Sequence, residues 1–87
     1  MTSKRVTIQN ELGLHARPAN VFVKEANRYR SRVRLIYQGR EFNAKSIVSV
    51  LKACVKTGCE IEVQAEGEDE AAAVAGLTAA VAAGLGE

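Results

Sequence analysis

Hydrophobic residues alternate with polar residues in three stretches of the chain. A period of two is typical of strands that bury one face. The three predicted strands are residues 4–9, 32–37 and 60–66. After the second of them, Gln38-Gly39 is a turn signal that predicts a short additional strand at residues 40–43.

Three other stretches have apolar residues at helical spacing. The first, residues 16–28, carries Pro18 in its first turn, where a missing N–H costs nothing. The second is a short helix for which Ser46 is a favourable N-cap. The third follows the acidic residues 68–70, whose negative charge suits a helix N-terminus. The expected apolar face of the second helix consists of Ile47, Val50, Leu51 and Cys54. That of the third helix consists of Val74, Leu77, Val81 and Leu85.

The predicted element order is βαββαβα. Four alternating strands with one polar face indicate an antiparallel sheet that is open to water on one side. The three helices then have to cover the other side. The sequence therefore predicts an α+β fold, an open-faced two-layer sandwich in which three helices cover one face of a four-stranded antiparallel sheet, as a single domain of residues 1–87.

Length and composition exclude several classes of protein. A chain of 87 residues with 47% hydrophobic and 25% charged residues has the proportions of a globular domain rather than of a disordered segment. Two cysteines are too few for a disulfide scaffold, and both thiols are expected to be buried and inert. The uncharged stretch 71–86 is mostly Ala and Gly and is too short and too weakly apolar to span a membrane. With no signal peptide at its start, the protein is expected in the cytoplasm.

Charge is distributed unevenly along the chain. All 12 Lys and Arg residues lie in residues 1–58, which hold only three of the ten acidic residues. Such a split indicates either a basic docking face or attraction between the two halves of the fold. Four arginines at alternate positions from 28 to 34 invite a nucleic-acid hypothesis, but the chain offers no aromatic stacking platform, so we expect no nucleic-acid partner.

The most informative segment is Gly-Leu-His-Ala-Arg-Pro-Ala at residues 13–19. It contains the only His and the only Pro of the chain. His15 falls at the start of the first predicted helix, where unpaired N–H groups and the helix dipole bind anions and favour a neutral, nucleophilic imidazole. Arg17 adds a permanent cation with bidentate geometry for phosphate. The pattern is consistent with phosphate carriage by His15, and the alternative is an exposed His that only caps the helix.

There is no second His, and the cysteine spacing does not favour a metal site.

This segment resembles the active-site signature of HPr, the histidine-containing phosphocarrier of the bacterial sugar phosphotransferase system. The resemblance extends over the whole chain through the segments 43–47, 56–58 and 65–70. It implies the same βαββαβα fold and no cofactor. One departure is Cys54, at a position where the family usually has Gly, and which is strained if its φ is positive.

The resemblance also implies a reaction. Enzyme I, charged by phosphoenolpyruvate, would phosphorylate His15 on Nδ1, and the phosphoryl group would pass to enzyme IIA. Arg17 and the backbone amides of Ala16 and Arg17 would stabilise that group, and Pro18 would fix the helix start. The protein would then be a carrier and a substrate of other enzymes, without a turnover of its own.

Ser46 carries a second implied site. In many HPr proteins a kinase/phosphorylase modifies the Ser at the start of the second helix, and such members also contact a transcriptional regulator. The alternative is that Ser46 is only an N-cap. The implied docking surface for these partners consists of Leu14, Lys24, Lys45, Ile47, Val48, Leu51 and Lys52.

Two rival functions stay open at this point. The first is an HPr-like regulatory protein of nitrogen or catabolite control, which acts by protein contact and transports no sugar. The second is a small α+β ligand-binding or acyl-phosphate-hydrolysing domain of the same layer architecture. The protein is expected to be a monomer without membrane insertion.

Overall fold

The computed structural model describes residues 1–86. Its elements follow the predicted order, and all neighbouring strands are antiparallel in the spatial order β1-β4-β2-β3. This confirms the predicted open-faced sandwich, although the last residue of the predicted domain 1–87 lies outside the described residues. The elements are β1 (Thr2–Thr7), α1 (Ala16–Ala26), β2 (Arg32–Tyr37), β3 (Arg40–Asn43), α2 (Ile47–Ala53), β4 (Glu60–Glu66) and α3 (Glu70–Ala82).

The boundaries of the first strand differ from the prediction. Its ladder with β4 runs from Thr2 opposite Ala65 to Thr7 opposite Glu60, so it ends where β4 begins. Ile8 continues the apolar alternation and is fully buried, but its N–H bonds the carbonyl of Cys59 outside the ladder, at 2.9 Å. Alternation alone therefore places the strand two residues too late.

The core lies between the sheet and the helices. β2 and β4 contribute every second residue to it, and α3 packs against α1, β1 and β4. Of the apolar stripe predicted for α3, Val74, Leu77 and Val81 are buried on the helix, and Leu85 is buried beyond its end. Phe22 of α1 is the largest side chain without solvent exposure. Tyr37 is half-buried and packs against the same core.

The face that α2 buries matches the prediction only in part, since Val50 is buried and Ile47 packs against the core as expected. Val50 and Ala53 are buried, whereas Leu51 is 38% exposed and Cys54 is exposed. The helix ends at Ala53, and Cys54 turns into the left-handed region (φ 54°, ψ 43°), so its side chain leaves the helix face. The prediction of a buried Cys54 thiol is therefore wrong, and the positive φ is the condition under which Cys at this position is strained.

Opposite charges of the two halves meet on the open face of the sheet. Arg34 of β2 lies 3.3 Å from Glu66 and 3.7 Å from Glu41, and Arg5 lies 3.9 Å from Glu62. One partner of each pair is largely exposed to water, so each pair contributes little to stability. They nevertheless account for part of the charge split, as expected for strands that neighbour each other.

Stability should fall steeply in acid because of two carboxylates at the start of α3. Hydrogen bonds from the Ser31 side chain and the Arg30 and Ser31 amides lower the pKa of Asp69 from 3.8 to about 2. Thr2, the N-terminal ammonium and the Gly67 amide lower the pKa of Glu70 from 4.5 to about 2. Both groups bind protons less tightly in the folded protein than in the unfolded chain, so protonation favours unfolding.

The melting temperature is therefore expected to be constant above pH about 5 and to fall between pH about 4.5 and 2. Asp69→Asn and Glu70→Gln should each flatten that part of the profile, measured by thermal denaturation at several pH values. A wild-type profile that is flat down to pH about 2 would contradict the assignment.

Candidate functional site

His15 is the N-cap of α1. Its backbone is extended (φ −131°, ψ 161°), and its carbonyl accepts the N–H of Ala19 at 3.4 Å. The imidazole is half-buried and makes no side-chain capping bond, so its ring is not engaged in holding the helix. The backbone of His15 thus begins the helix while its side chain stays available for chemistry.

The residue after His15 has an unusual backbone. Ala16 has a φ of 51°, in the left-handed region that costs a residue with a Cβ about 1–2 kcal/mol. Its carbonyl accepts a hydrogen bond from Asn20 Nδ2 at 3.2 Å. Nothing in the sequence signals this conformation, because Ala has no preference for positive φ.

The start of α1 combines two features that suit an anion, unpaired N–H groups and an arginine. The N–H groups of Ala16 and Arg17 belong to the first turn, where no intrahelical acceptor exists. Within residues 1–86, no carboxylate lies within ion-pair distance of the exposed Arg17 guanidinium. The Arg17 stem runs along the C-terminal segment, where a Cβ on Gly86 would lie 3.6 Å from Arg17 Cδ. Pro18 is buried in the first turn, as its missing N–H predicts.

The segment before His15 is held by the loop that follows α2. Leu14 N–H donates to the carbonyl of Val55 at 2.9 Å, and Asn10 Nδ2 donates to the carbonyl of Gly13 at 2.7 Å. Leu14 has no solvent exposure, so the prediction that it forms part of a docking surface is wrong. Its apolar side chain is part of the core and helps to fix the backbone next to His15.

Ser46 caps α2 as predicted. Its Oγ accepts the N–H of Ser49 at 3.3 Å, and Ser49 Oγ accepts the N–H of Asn43 at 2.9 Å. The Ser46 side chain is half-buried, and its hydroxyl lies at a helix N-terminus.

The predicted docking residues fall into two groups. Val48 is 60% exposed, Leu51 is 38% exposed, and Lys24 and Lys52 are exposed. By contrast, Ile47 is half-buried against the core, and Lys45 Nζ donates to the carbonyl of Tyr29 at 2.7 Å. The Lys45 ammonium therefore ties the start of α2 to the loop after α1 instead of pointing freely outward.

One exposed apolar side chain was missed. Leu12 is 50% exposed and lies in the turn that leads into the His15 segment. The backbone bond between Leu14 N–H and the Val55 carbonyl joins that segment to the loop that follows α2. An isolated Leu beside a glycine turn was the available sequence signal.

The structure contains no candidate for a metal centre or a membrane span among the residues it describes. No group of three potential ligands occurs in residues 1–86. In the same range, no helix has the length and apolarity needed to cross a bilayer.

Comparison with known proteins decides the family. Residues 2–83 match the family model described as the PTS HPr component phosphorylation site. The chain belongs to the HPr family. It is 44% identical to the HPr-like protein Crh of Bacillus subtilis, over 93% of this chain and 95% of that one. It is 45% identical to the phosphocarrier protein HPr of Mycoplasma capricolum, over 71% of this chain and 70% of that one.

Solved structures of HPr proteins also have the same fold as this chain. A crystal structure of HPr-C-His from Thermoanaerobacter tengcongensis superposes with a TM-score of 0.97 at 34% identity, over 100% of this chain and 98% of that one. HPr proteins are phosphocarriers, which are carrier proteins and not catalysts. Membership of this family displaces the rival hypothesis of an unrelated hydrolysing or ligand-binding domain.

Proposed function

We propose that His15 accepts a phosphoryl group from phosphoenolpyruvate-charged enzyme I and passes it to enzyme IIA components of sugar transport. The observation that carries this proposal is the imidazole of His15, which caps no N–H although it occupies the N-cap of α1. An ordinary capping side chain would be engaged with the helix. Here the ring stays available beside the first-turn amides and Arg17.

The local geometry supports a simple mechanism. The lone pair of Nδ1 attacks phosphorus while the bond from phosphorus to the donor's nitrogen breaks, so the phosphoryl group moves between two imidazoles. Arg17 and the amides of Ala16 and Arg17 face the negative charge of the oxygens, and Pro18 holds the helix start rigid. The second transfer repeats the same displacement with His15 as the leaving group.

The direct test is incubation of the protein with phosphoenolpyruvate and enzyme I, followed by intact-mass measurement. One phosphoryl group should be added, lost in mild acid and retained in base, as expected for a phosphorus–nitrogen bond. A phosphate that survives acid would contradict carriage on His15.

A regulatory role is the alternative. The similarity to the HPr-like protein Crh of Bacillus subtilis favours it, and the exposed Val48 and Leu51 offer a contact surface near Ser46. The two roles differ in the second transfer. A carrier for sugar uptake passes the phosphoryl group to enzyme IIA, whereas a regulator of nitrogen or catabolite control would act by contact without that step.

Ser46→Asp is expected to leave the fold intact and to slow phosphorylation of His15 by enzyme I. A carboxylate at this N-cap can accept the Ser49 N–H and is favourable at a helix N-terminus, so thermal stability should be unchanged or slightly raised. The added charge lies beside exposed apolar and basic residues that would face an acidic partner. We expect a transfer rate lower by roughly tenfold at low salt.

Ser46→Ala is the matched control. It removes the cap, at a cost of about 1 kcal/mol in stability, without adding charge. Its transfer rate should stay close to wild type. If Ser46→Asp transferred as fast as wild type at low salt, Ser46 would be a helix cap only, and neither a kinase/phosphorylase nor a transcriptional regulator would need to be invoked.

The cytoplasm is the compartment that this role requires, since its phosphoryl donor is made there. The expected monomer stays a prediction. Structures of an HPr from Thermoanaerobacter tengcongensis and of Crh from Bacillus subtilis are described as dimers. Light scattering of the purified protein over a range of concentrations would measure its oligomeric state.

A further inference from the structure

Two cysteines flank the connection between α2 and β4, because Cys54 follows the last residue of α2 and Cys59 precedes the first residue of β4. Cys59 stands two residues before Ile61, and the alternation of β4 buries Ile61, Val63 and Ala65 on the helix-covered face. Cys59 shares that face because side chains two residues apart point the same way. It is half-buried against the core, and Tyr37 Oη donates a hydrogen bond to its Sγ at 3.3 Å.

Cys54 lies at the C-terminal end of α2, in the helix layer. It follows the last residue of α2, which packs against α1 and β3, and its Sγ lies 3.6 Å from the carbonyl of Leu51. The pKa of Tyr37 is raised by the hydrogen bond to Cys59, by burial, and by the charges of the Cys59 and Cys54 thiolates.

The backbone between the two cysteines doubles back on itself. Cys59 N–H donates to the carbonyl of Lys56 at 3.2 Å, which closes a turn around Thr57 and Gly58. The six-residue segment from Cys54 to Cys59 thus returns from the end of α2 to the start of β4. A disulfide requires Cα atoms about 4.4–6.8 Å apart, so the loop between α2 and β4 has to bring the two cysteines to that separation when the bond forms.

We propose that Cys54 and Cys59 form a reversible disulfide under oxidising conditions, and that its formation reshapes the loop that supports His15. Disulfides in reducing compartments are transient and often redox-sensing, which is consistent with two free thiols in the resting protein.

A low-molecular-weight disulfide such as oxidised glutathione supplies the oxidising equivalents. The exposed Cys54 thiolate attacks one of its sulfurs, which forms a mixed disulfide and releases one molecule of reduced thiol. The Cys59 thiolate then attacks Cys54 Sγ and releases the second. Two protein thiols are oxidised to one disulfide, one disulfide is reduced to two thiols, and the two protons pass to the released thiolates.

The link to His15 runs through the same segment. Val55 lies inside the loop that the disulfide would close, and its carbonyl accepts the Leu14 N–H. The packing at Gly13 is also tight, because a Cβ on it would lie 2.4 Å from the Val55 carbonyl oxygen and 2.9 Å from Lys56 Cα. A shift of residues 55 and 56 is therefore transmitted directly to the residues before His15.

The experiment equilibrates the full chain with oxidised glutathione and measures intact mass, iodoacetamide labelling and amide NMR shifts. For wild type we expect a monomer that has lost about 2 Da and no longer reacts with iodoacetamide. Its Gly13, Leu14 and His15 amide shifts should change and should return with a reducing agent. Cys59→Ala should instead retain glutathione on Cys54, and Cys54→Ala should keep a slowly alkylated thiol.

Three results would overturn the proposal. The first is a wild-type protein that keeps glutathione on Cys54, or keeps both thiols reduced, while Cys59 can still be alkylated. The second is a disulfide-linked dimer in place of the internal bond. The third is an internal disulfide that leaves the amide shifts of residues 13–15 unchanged. None of these readouts depends on phosphoryl transfer, so they are independent of the proposed carrier function.

Discussion

His15→Ala is expected to abolish phosphoryl acceptance from enzyme I. The chain has no second His, and the variant removes the only imidazole that could form an acid-labile phosphorus–nitrogen bond. Intact mass after incubation with phosphoenolpyruvate and enzyme I should show no added phosphoryl group. Arg17→Ala keeps the nucleophile and removes one group that faces the phosphoryl oxygens, so it should label at a rate lower by roughly 10²-fold.

The fold of His15→Ala should survive, which makes the loss interpretable. The imidazole makes no capping bond and is only half-buried, and the backbone carbonyl that starts α1 is retained. The melting temperature should therefore stay close to that of wild type. An acid-labile label on His15→Ala would show that another residue carries the phosphoryl group.

Much of the fold could be predicted because the hydrophobic pattern of most segments agrees with the element that they form and the face that it buries. The alternation in β2 and β4 and the helical spacing in α1 and α3 each point to the buried face that the structure has. The boundary of β1 could not be found in this way, since it depends on where its partner begins. The buried face of α2 was predicted only in part, because a helix of seven residues has too few turns for its periodicity to decide.

In the candidate site too, the features with a local sequence signal could be predicted, and those that depend on distant contacts could not. His15, Pro18 and Ser46 stand where their local signals place them, since helix starts depend on nearby residues. The burial of Leu14 and the tie between Lys45 and Tyr29 depend on contacts between segments that are distant in the sequence. The left-handed Ala16 has no local signal at all. Ala16 itself is exposed, and its carbonyl accepts a hydrogen bond from Asn20 Nδ2.

Gly13→Ala is expected to be the most destabilising of the small substitutions near the site. Gly13 has a φ of 63°, and a Cβ on it would lie 2.4 Å from the Val55 carbonyl oxygen. Both the backbone strain and the clash have to be relieved, and the contacting atoms are backbone that cannot rotate away. We expect a loss of roughly 2–4 kcal/mol in the free energy of unfolding, measured by urea denaturation.

Gly39→Ala separates the two contributions. Gly39 also has a positive φ, 75°, but a Cβ on it would meet nothing within 4 Å. This control should cost about 1 kcal/mol, which is the backbone term alone. The difference between the two variants then measures the close approach between the segment before His15 and the loop after α2.

The same close approach should tie stability to function. If relief of the clash pushes Leu14 away from Val55, Gly13→Ala should also phosphorylate more slowly at temperatures where it is fully folded, whereas Gly39→Ala should not. The position of His15 depends on the contact between its segment and the loop after α2, because the residue directly before it, Leu14, donates its N–H to the Val55 carbonyl. Equal stabilities for the two variants would mean that the loop after α2 yields easily and does not position His15.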